Sequence, residues 1–464
     1  MSIISGVGPM SGINYDQLIT GLLAVQQQPI TDLQAKETDY NNKISAYGTL
    51  STKLMALQSA ANTLRTSTNF YAKTGSSSDS TIVDVSVTSA ASAGNYTIAP
   101  HSVAGKIQLA NFEQVVQTAG VASSTDVINN SGSDQTFQYT YAGTQRALTV
   151  TDQTTLEGLR DAINNDSGNP GVTASIIYDG SAYKLAISGN NTGSANTISI
   201  DAGTTLNGTG GTTDLSSTAF TTTQAAQDAK VNINGVDITR STNTISDVIP
   251  GVTLTLKKET TGSVTVSVNN DVSTISNNIQ AFVSAYNDVI SYISGNSTYD
   301  TTTNTGGTLY GEFTAGDIPT QLSNIITSPV AGLPSDLNIL AQIGVSTNND
   351  GTLSLDTATL NNQLSSNLSG VGKIFTDAAG GIGNQIYDFV NNETDSVDGA
   401  ITYRTNGLNT SISNINNDIS NLQERLNMTE ERLRTQFAAL ETLLGSLQAQ
   451  STFLTNQSGI WAKQ

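Results

Sequence analysis

The sequence predicts an α+β multidomain fold, in which N- and C-terminal helices pair as a coiled-coil or helical-bundle leg and antiparallel β-rich head domains are inserted between them. Three observations carry this. A seven-residue apolar repeat runs through the last 60 residues, a stretch of helical spacing lies between residues 30 and 64, and from about residue 80 to 268 the apolar period changes from 3.6 to 2.

The C-terminal repeat is the strongest signal. Ile412, Ile419, Leu426, Leu433, Leu440, Leu447 and Leu454 recur every seven residues, with Leu408, Ile415, Leu422 and Leu443 in the companion row and Thr429, Gln436 and Gln450 breaking it. No Pro follows Pro334 and no Gly falls within 408–444, so a helix of about 47 residues, roughly 70 Å long, is expected. Glu430 and Arg434 are spaced for an i,i+4 pair on its exposed side. Burying the seven Ile/Leu side chains contributes at most roughly 10–20 kcal/mol, and only if another helix covers them.

The N-terminal segment supplies that partner. Pro29 stands where a helix begins, and Ile30, Leu33, Tyr40, Ile44, Tyr47, Leu50, Leu54, Leu57, Ala61 and Leu64 keep helical spacing up to a Ser/Thr-rich stop. Leu18, Leu22 and Val25 predict a short separate helix before Pro29. Polar seam residues Thr429, Gln436, Glu37 and Ser51 favour a seam that also sets partner number.

In the middle, Val83–Val87, Phe137–Tyr141, Tyr183–Ile187 and Val264–Val268 alternate apolar and polar residues as half-buried antiparallel strands do. Asn234-Gly235 marks a two-residue hairpin. Thr154 and Glu157 form a capping box ahead of one helix carrying Leu156, Leu159 and Ile163. Helical spacing resumes after Asp271, a loop is expected at 295–307, and Asn349-Asp350-Gly351 reads as a hairpin turn before a helix capped by Asp356. The expected division is 1–40 with 430–464 as a terminal coiled-coil leg, 41–78 with 270–429 as a helical bundle, 79–135 with 225–269 as an inner β head, and 136–224 as an outer β head with one helix.

Composition narrows the function. At 464 residues the chain exceeds one ordinary core, and three or four domains are expected. Its 19 Lys+Arg against 38 Asp+Glu give a net charge of -19, which repels nucleic acid and anionic membrane. Cysteine is absent and His101 is the only histidine, which removes disulfides, thiolate catalysis and Cys-based metal sites and leaves a metal site to be built from carboxylates and carbonyls. His101 follows Pro100 at a strand end, the place of a turn residue rather than of a triad member. The N-terminus has no basic region before Lys36, and no apolar run approaches about 18 residues, so neither a cleaved signal peptide nor a membrane span is expected. Gly6-Val7-Gly8 lacks the strand and Lys of a phosphate loop. A calcium loop at Asn348–Gly351 would have Ser346 as first ligand and Thr357 where a bidentate Glu belongs. A glycosidase carboxylate pair has no support in the sequence. No cofactor and no catalytic residue is expected.

Gln28–Leu33 with Ser45–Leu54 at the N-terminus, Thr155–Asn164 with Val172–Ile176 and Tyr183–Ser188 in the head, Asn243–Leu254, and Glu431–Phe437 with Gln450–Thr455 near the end form an ordered set of segments. Taken in that order they resemble the filament-cap family of bacterial flagella, also called hook-associated protein 2. The tail Gly459–Gln464 departs from the family's endings. The resemblance implies a structural, non-enzymatic cap at the filament tip, secreted without a cleaved signal. Its implied partners are copies of itself in a ring, flagellin, and the type III export apparatus with an export chaperone. A host surface is a further candidate, and the competing readings are a sugar-binding adhesin whose β head is the active part and an extracellular hydrolase.

Overall fold

The computed structural model describes residues 6–461. The expected leg residues 1–5 and 462–464 lie outside the described residues. Helices α1 (Tyr15–Arg65), α2 (Ser67–Phe70), α3 (Leu156–Asn164), α4 (Val272–Ser297), α5 (Phe313–Thr327), α6 (Thr357–Thr376), α7 (Ile382–Thr394) and α8 (Ala400–Trp461) account for the helical segments. Two compact units result. One comprises residues up to Phe70 and from Ser273 onward, and the other is Tyr71–Val272.

The helical unit is organised by α1 and α8, which run antiparallel: the Tyr15 ring stacks on Phe437 with centroids 4.8 Å apart, and Ile30 packs with Ile415 and Ile419. Asn14 caps α1, its side chain accepting the Gln17 N–H at 3.1 Å. Pro29 lies inside α1 rather than starting it, which corrects the expectation of a separate helix carrying Leu18 and Leu22. An interior Pro costs about 3 kcal/mol because it cannot bond the carbonyl four residues earlier. Here that carbonyl belongs to Val25, in an exposed turn, and the next residue, Ile30, is fully buried against α8, so packing overrides the local penalty.

Towards its C-terminal half, α1 buries Tyr47, Leu50, Leu54, Leu57, Ala61 and Leu64, and α4 buries Ile275, Ile279, Phe282, Tyr286, Val289 and Ile293, both at helical spacing. Phe375 joins Phe70 at 5.8 Å and Phe282 at 6.3 Å. After α4 the expected open loop closes into a small hairpin, Tyr299–Asp300 against Thr305–Gly306. Strands Val345–Thr347 and Leu353–Leu355 pair as the Asn-Asp-Gly turn predicts. The Asp350 carboxylate accepts from the Thr352 N–H and hydroxyl, the work of a turn residue. Asp356 caps α6 through the N–H groups of Ala358 and Thr359.

The β unit has two cores. In the first, a five-stranded antiparallel sheet is ordered Lys73–Ser77, Val264–Asn270, Gly94–Ala99, Ala229–Ile233, Val236–Arg240, and shares a core with the three-stranded sheet Thr244–Ile249, Val252–Leu256, Val83–Val87. Asn234-Gly235 makes its two-residue turn with φ of 49° and 90°, the left-handed pair that such a turn requires. In the second, a four-stranded sheet (Phe220–Gln224, Gln114–Gln117, Tyr183–Gly189, Val172–Tyr178) and a three-stranded one (Thr144–Val150, Gln135–Tyr141, Ile198–Ile200) pack with α3. Thr155 rather than Thr154 caps α3, accepting the Gly158 N–H at 3.1 Å. The Thr154 carbonyl is held by the Ile128 N–H and Glu157 accepts from the Ser124 hydroxyl, so the expected box is replaced by a cap shifted one residue.

Candidate functional site

The apolar rows of the leg are covered unevenly, and the unevenness defines the site. Leu408, Ile415 and Ile419 on α8 and Leu54 on α1 are buried. Ile412, Leu422, Leu426 and Leu433, with Leu33 and Ile44 on α1, are half-buried. Beyond them Leu440 is 40% exposed, Leu447 51% and Leu454 63%, and on the other helix Leu18 and Leu22 are 46% and 48% exposed. The seven-residue row is therefore closed only up to Leu433 within one chain.

The cause is length. Tyr15, the first residue of α1, already lies beside Phe437, and among the described residues before it Met10 lies alongside Gly445. From residue 446 to Trp461 α8 extends past α1 and the described residues that precede it, 16 residues or roughly 24 Å at 1.5 Å per residue. This overhang carries no charged residue and exposes Leu447, Phe453 and Leu454.

A clasp marks the point where cover ends. Residues 6–14 turn back on themselves, with the Gly8 N–H donating to the Ile13 carbonyl at 2.9 Å. The clasp closes on Glu441, a buried carboxylate that accepts from the Tyr15 hydroxyl at 2.5 Å, the Met10 N–H at 2.9 Å and the Ser11 N–H at 3.2 Å. Hydrogen bonding by Ser11, then Tyr15, holds the Glu441 carboxyl below the usual carboxylate range, and the same carboxylate pushes the Tyr15 hydroxyl up. A Cβ at Gly8 would collide with Glu441 and the Tyr15 ring. Beside it Arg434 donates to Asp16 at 2.7 Å and to Glu430 at 2.9 Å, so the anticipated i,i+4 pair is drawn into a link between helices. Glu441→Ala is expected to release residues 6–14, read as new proteolytic cleavage before Tyr15 with the β unit's cleavage pattern unchanged.

A second carboxylate ties α1, α5 and α8 together. Glu312, just before α5 and almost fully buried, accepts two bonds from Arg404 (2.6 and 2.8 Å) and one from the Tyr47 hydroxyl (2.9 Å), with Lys43 at 3.2 Å. The Arg404 guanidinium is the main cause that holds its carboxyl down to about 2.

Sequence reasoning missed both carboxylates. Glu441 had a legible signal: it is the only charged residue between Arg434 and Lys463, and a lone acid in an apolar helix stretch needs local donors. Glu312 had none, since its partners are distant in the chain.

His101 is buried at a turn, where its Nδ1 accepts the Val103 N–H at 3.1 Å. The neighbouring Ser102 hydroxyl bonds Asp237 instead, so no nucleophile is aligned with the imidazole. Among the described residues no group of three or more His, Asp or Glu is placed to hold a metal ion, and no helix is long and apolar enough to cross a membrane.

The build is that of a structural assembly protein: a helical stem, part of whose apolar surface is left uncovered, joined in sequence to a β unit. Family models agree on which one. The model for the flagellar hook-associated protein 2 N-terminus matches residues 11–106, that for its C-terminus residues 226–449, and the flagellin hook IN motif residues 127–191. The flagellar hook-associated protein 2 of Escherichia coli K12 is 30% identical over 98% of both chains. The B-type protein of Pseudomonas aeruginosa is 28% identical over 88% of this chain and 87% of its own. Among solved structures, the D1-D2-D3 domains of the Escherichia coli flagellar cap protein superpose with a TM-score of 0.63 at 30% identity, covering 78% of this chain and 99% of that one. The chain belongs to the flagellar hook-associated protein 2 family, a family of structural flagellar cap proteins and not of enzymes.

Proposed function

We propose that this chain caps the distal tip of the flagellar filament, where copies associate through their stems into a ring that retains exported flagellin and promotes its folding and insertion. In this reading 1–40 with 430–464 form the leg, 41–78 with 270–429 the bundle above it, and the β heads (79–135 with 225–269, and 136–224) the plate. The observation that carries it is the uncovered apolar row Leu440, Leu447 and Leu454, with Leu18 and Leu22. A lone helix of 16 residues is marginal in water, and covering five half-exposed Leu side chains contributes at most roughly 5–8 kcal/mol per copy. After the loss of free motion on association, this suits a ring that forms at high local concentration and is reinforced by the filament end.

Export unfolded through the flagellar type III apparatus with a chaperone is consistent with a chain lacking cysteine, which needs no oxidising step to fold. The test is a strain from which the corresponding gene has been removed. Its cells are expected to release flagellin into the medium and carry stunted filaments, with this chain restoring growth when supplied. Filaments of ordinary length on the deleted strain would overturn the reading.

A further inference from the structure

The stem carries a second surface, polar and separate from the overhang. The tripeptide Glu-Arg-Leu occurs twice in α8, at 424–426 and 431–433, seven residues apart. The two Leu are half-buried, Leu426 beside Val25 and Pro29 of α1, whereas Glu424, Arg425, Glu431 and Arg432 are exposed and form no ion pair among the described residues. Adjacent residues on a helix do not face one another. The neighbour best placed to pair with Glu431, Arg434, is engaged by Glu430 and Asp16.

The four charges thus form an acidic row and a basic row about 100° apart around α8, each two turns long. Met428, 55% exposed, lies between the rows. Arg425 and Arg432 also rim a groove lined by Val25, Pro29, Leu422 and Leu426, opened beside the turn that Pro29 interrupts.

We infer that this face binds a second copy of the chain, the acidic row of one stem meeting the basic row of the next. Charge argues for that occupant. Copies with a net charge of -19 repel one another except where opposite charges are brought into register, and a face bearing both signs, separated around the helix, is matched by the same face rotated. Stems side by side around one axis stand at equal height, so Glu431 of one copy is level with Arg432 of the next to within about 1.5 Å, and likewise Glu424 with Arg425. The contact is directional, so it fixes which side of each stem meets which neighbour. The apolar overhang does not encode that choice. This inference rests on the stem-mediated ring proposed above.

The experiment uses full-length chain and two variants, Arg425→Glu with Arg432→Glu, and Glu424→Arg with Glu431→Arg, studied by sedimentation velocity and native mass spectrometry at low salt. Each variant alone has two faces of one sign and is expected to associate about ten-fold more weakly than the natural chain. An equimolar mixture is expected to recover to within about three-fold, because every mixed contact is again complementary. The natural chain's association is expected to weaken as salt rises from about 50 to about 300 mM. Unchanged melting of each variant, together with recovery in the mixture, excludes misfolding. Variants that associate alone as the natural chain does, or a mixture that fails to recover, would overturn the charge pairing and leave the ring intact. A natural chain monomeric at every concentration would instead overturn the ring reading itself, and this inference with it.

Discussion

Replacing Leu440 and Leu447 together by aspartate is expected to abolish stem-mediated association and filament elongation while leaving the β unit folded. Both side chains are about half exposed in the single chain, so the substitutions remove little of its own core and are expected to change its stability by less than about 1 kcal/mol. In the proposed assembly the same positions are covered, and each aspartate would be taken from water without a cation partner, at a cost of several kcal/mol per site. That outweighs the roughly 1–1.5 kcal/mol each Leu contributes there. Leu408→Asp supplies the contrast. Leu408 is buried within the helical unit of a single chain, so its replacement is expected to unfold that unit rather than to yield a folded, non-associating chain. Filament length, flagellin released into the medium and sedimentation of the purified variant are the measurements. Filaments of normal length on the double variant would reject the stem as the site of assembly.

That contrast also shows what the sequence could and could not convey. A seven-residue repeat states that a row of side chains must leave water, but not whether the cover comes from the same chain. Ile419 and Leu454 stand in the same seven-residue row, yet one is buried and the other 63% exposed, because α1 begins at Tyr15 and no described helix lies opposite the end of α8. The paired helices and the period-2 head were legible because each rests on many side chains repeating one spacing. The Pro29 continuation was not, since a penalty of about 3 kcal/mol is offset by a contact made nearly 390 residues later, at Ile415 and Ile419. The cap of α3 was misplaced by one residue because Thr154 and Thr155 are both competent caps, and the Thr154 carbonyl is held by the Ile128 N–H, a bond to a segment nearly thirty residues earlier that local sequence does not show.

The Glu312 cluster is expected to make the helical unit acid-sensitive in a defined window. The folded-state carboxyl is held down to about 2, against an ordinary glutamate value of 4.5. A depressed carboxyl contributes stability that is fully present above the unfolded value and lost as pH falls through the folded one, so the loss runs from about pH 4.5 down to about pH 2. At 1.36 kcal/mol per unit the full contribution is roughly 3 kcal/mol. About 2 is the better expectation, because the Arg404 side chain is 38% exposed and its charge is partly screened. Glu312→Gln should therefore lower the helical unit's urea stability by about 2 kcal/mol at pH 7 and flatten its pH dependence between 4.5 and 2. Removing Arg404 should do more damage at pH 7 than removing Glu312: a buried carboxylate left with only Lys43 and the Tyr47 hydroxyl is less well compensated than a guanidinium with access to water. Asp84→Asn is the control, since the Asp84–Lys257 pair is about half exposed on both sides and such pairs contribute about 0–1 kcal/mol. Equal stability of Glu312→Gln and the natural chain at pH 7, with the acid transition unmoved, would show that Glu312 does not hold α1 and α8 in register.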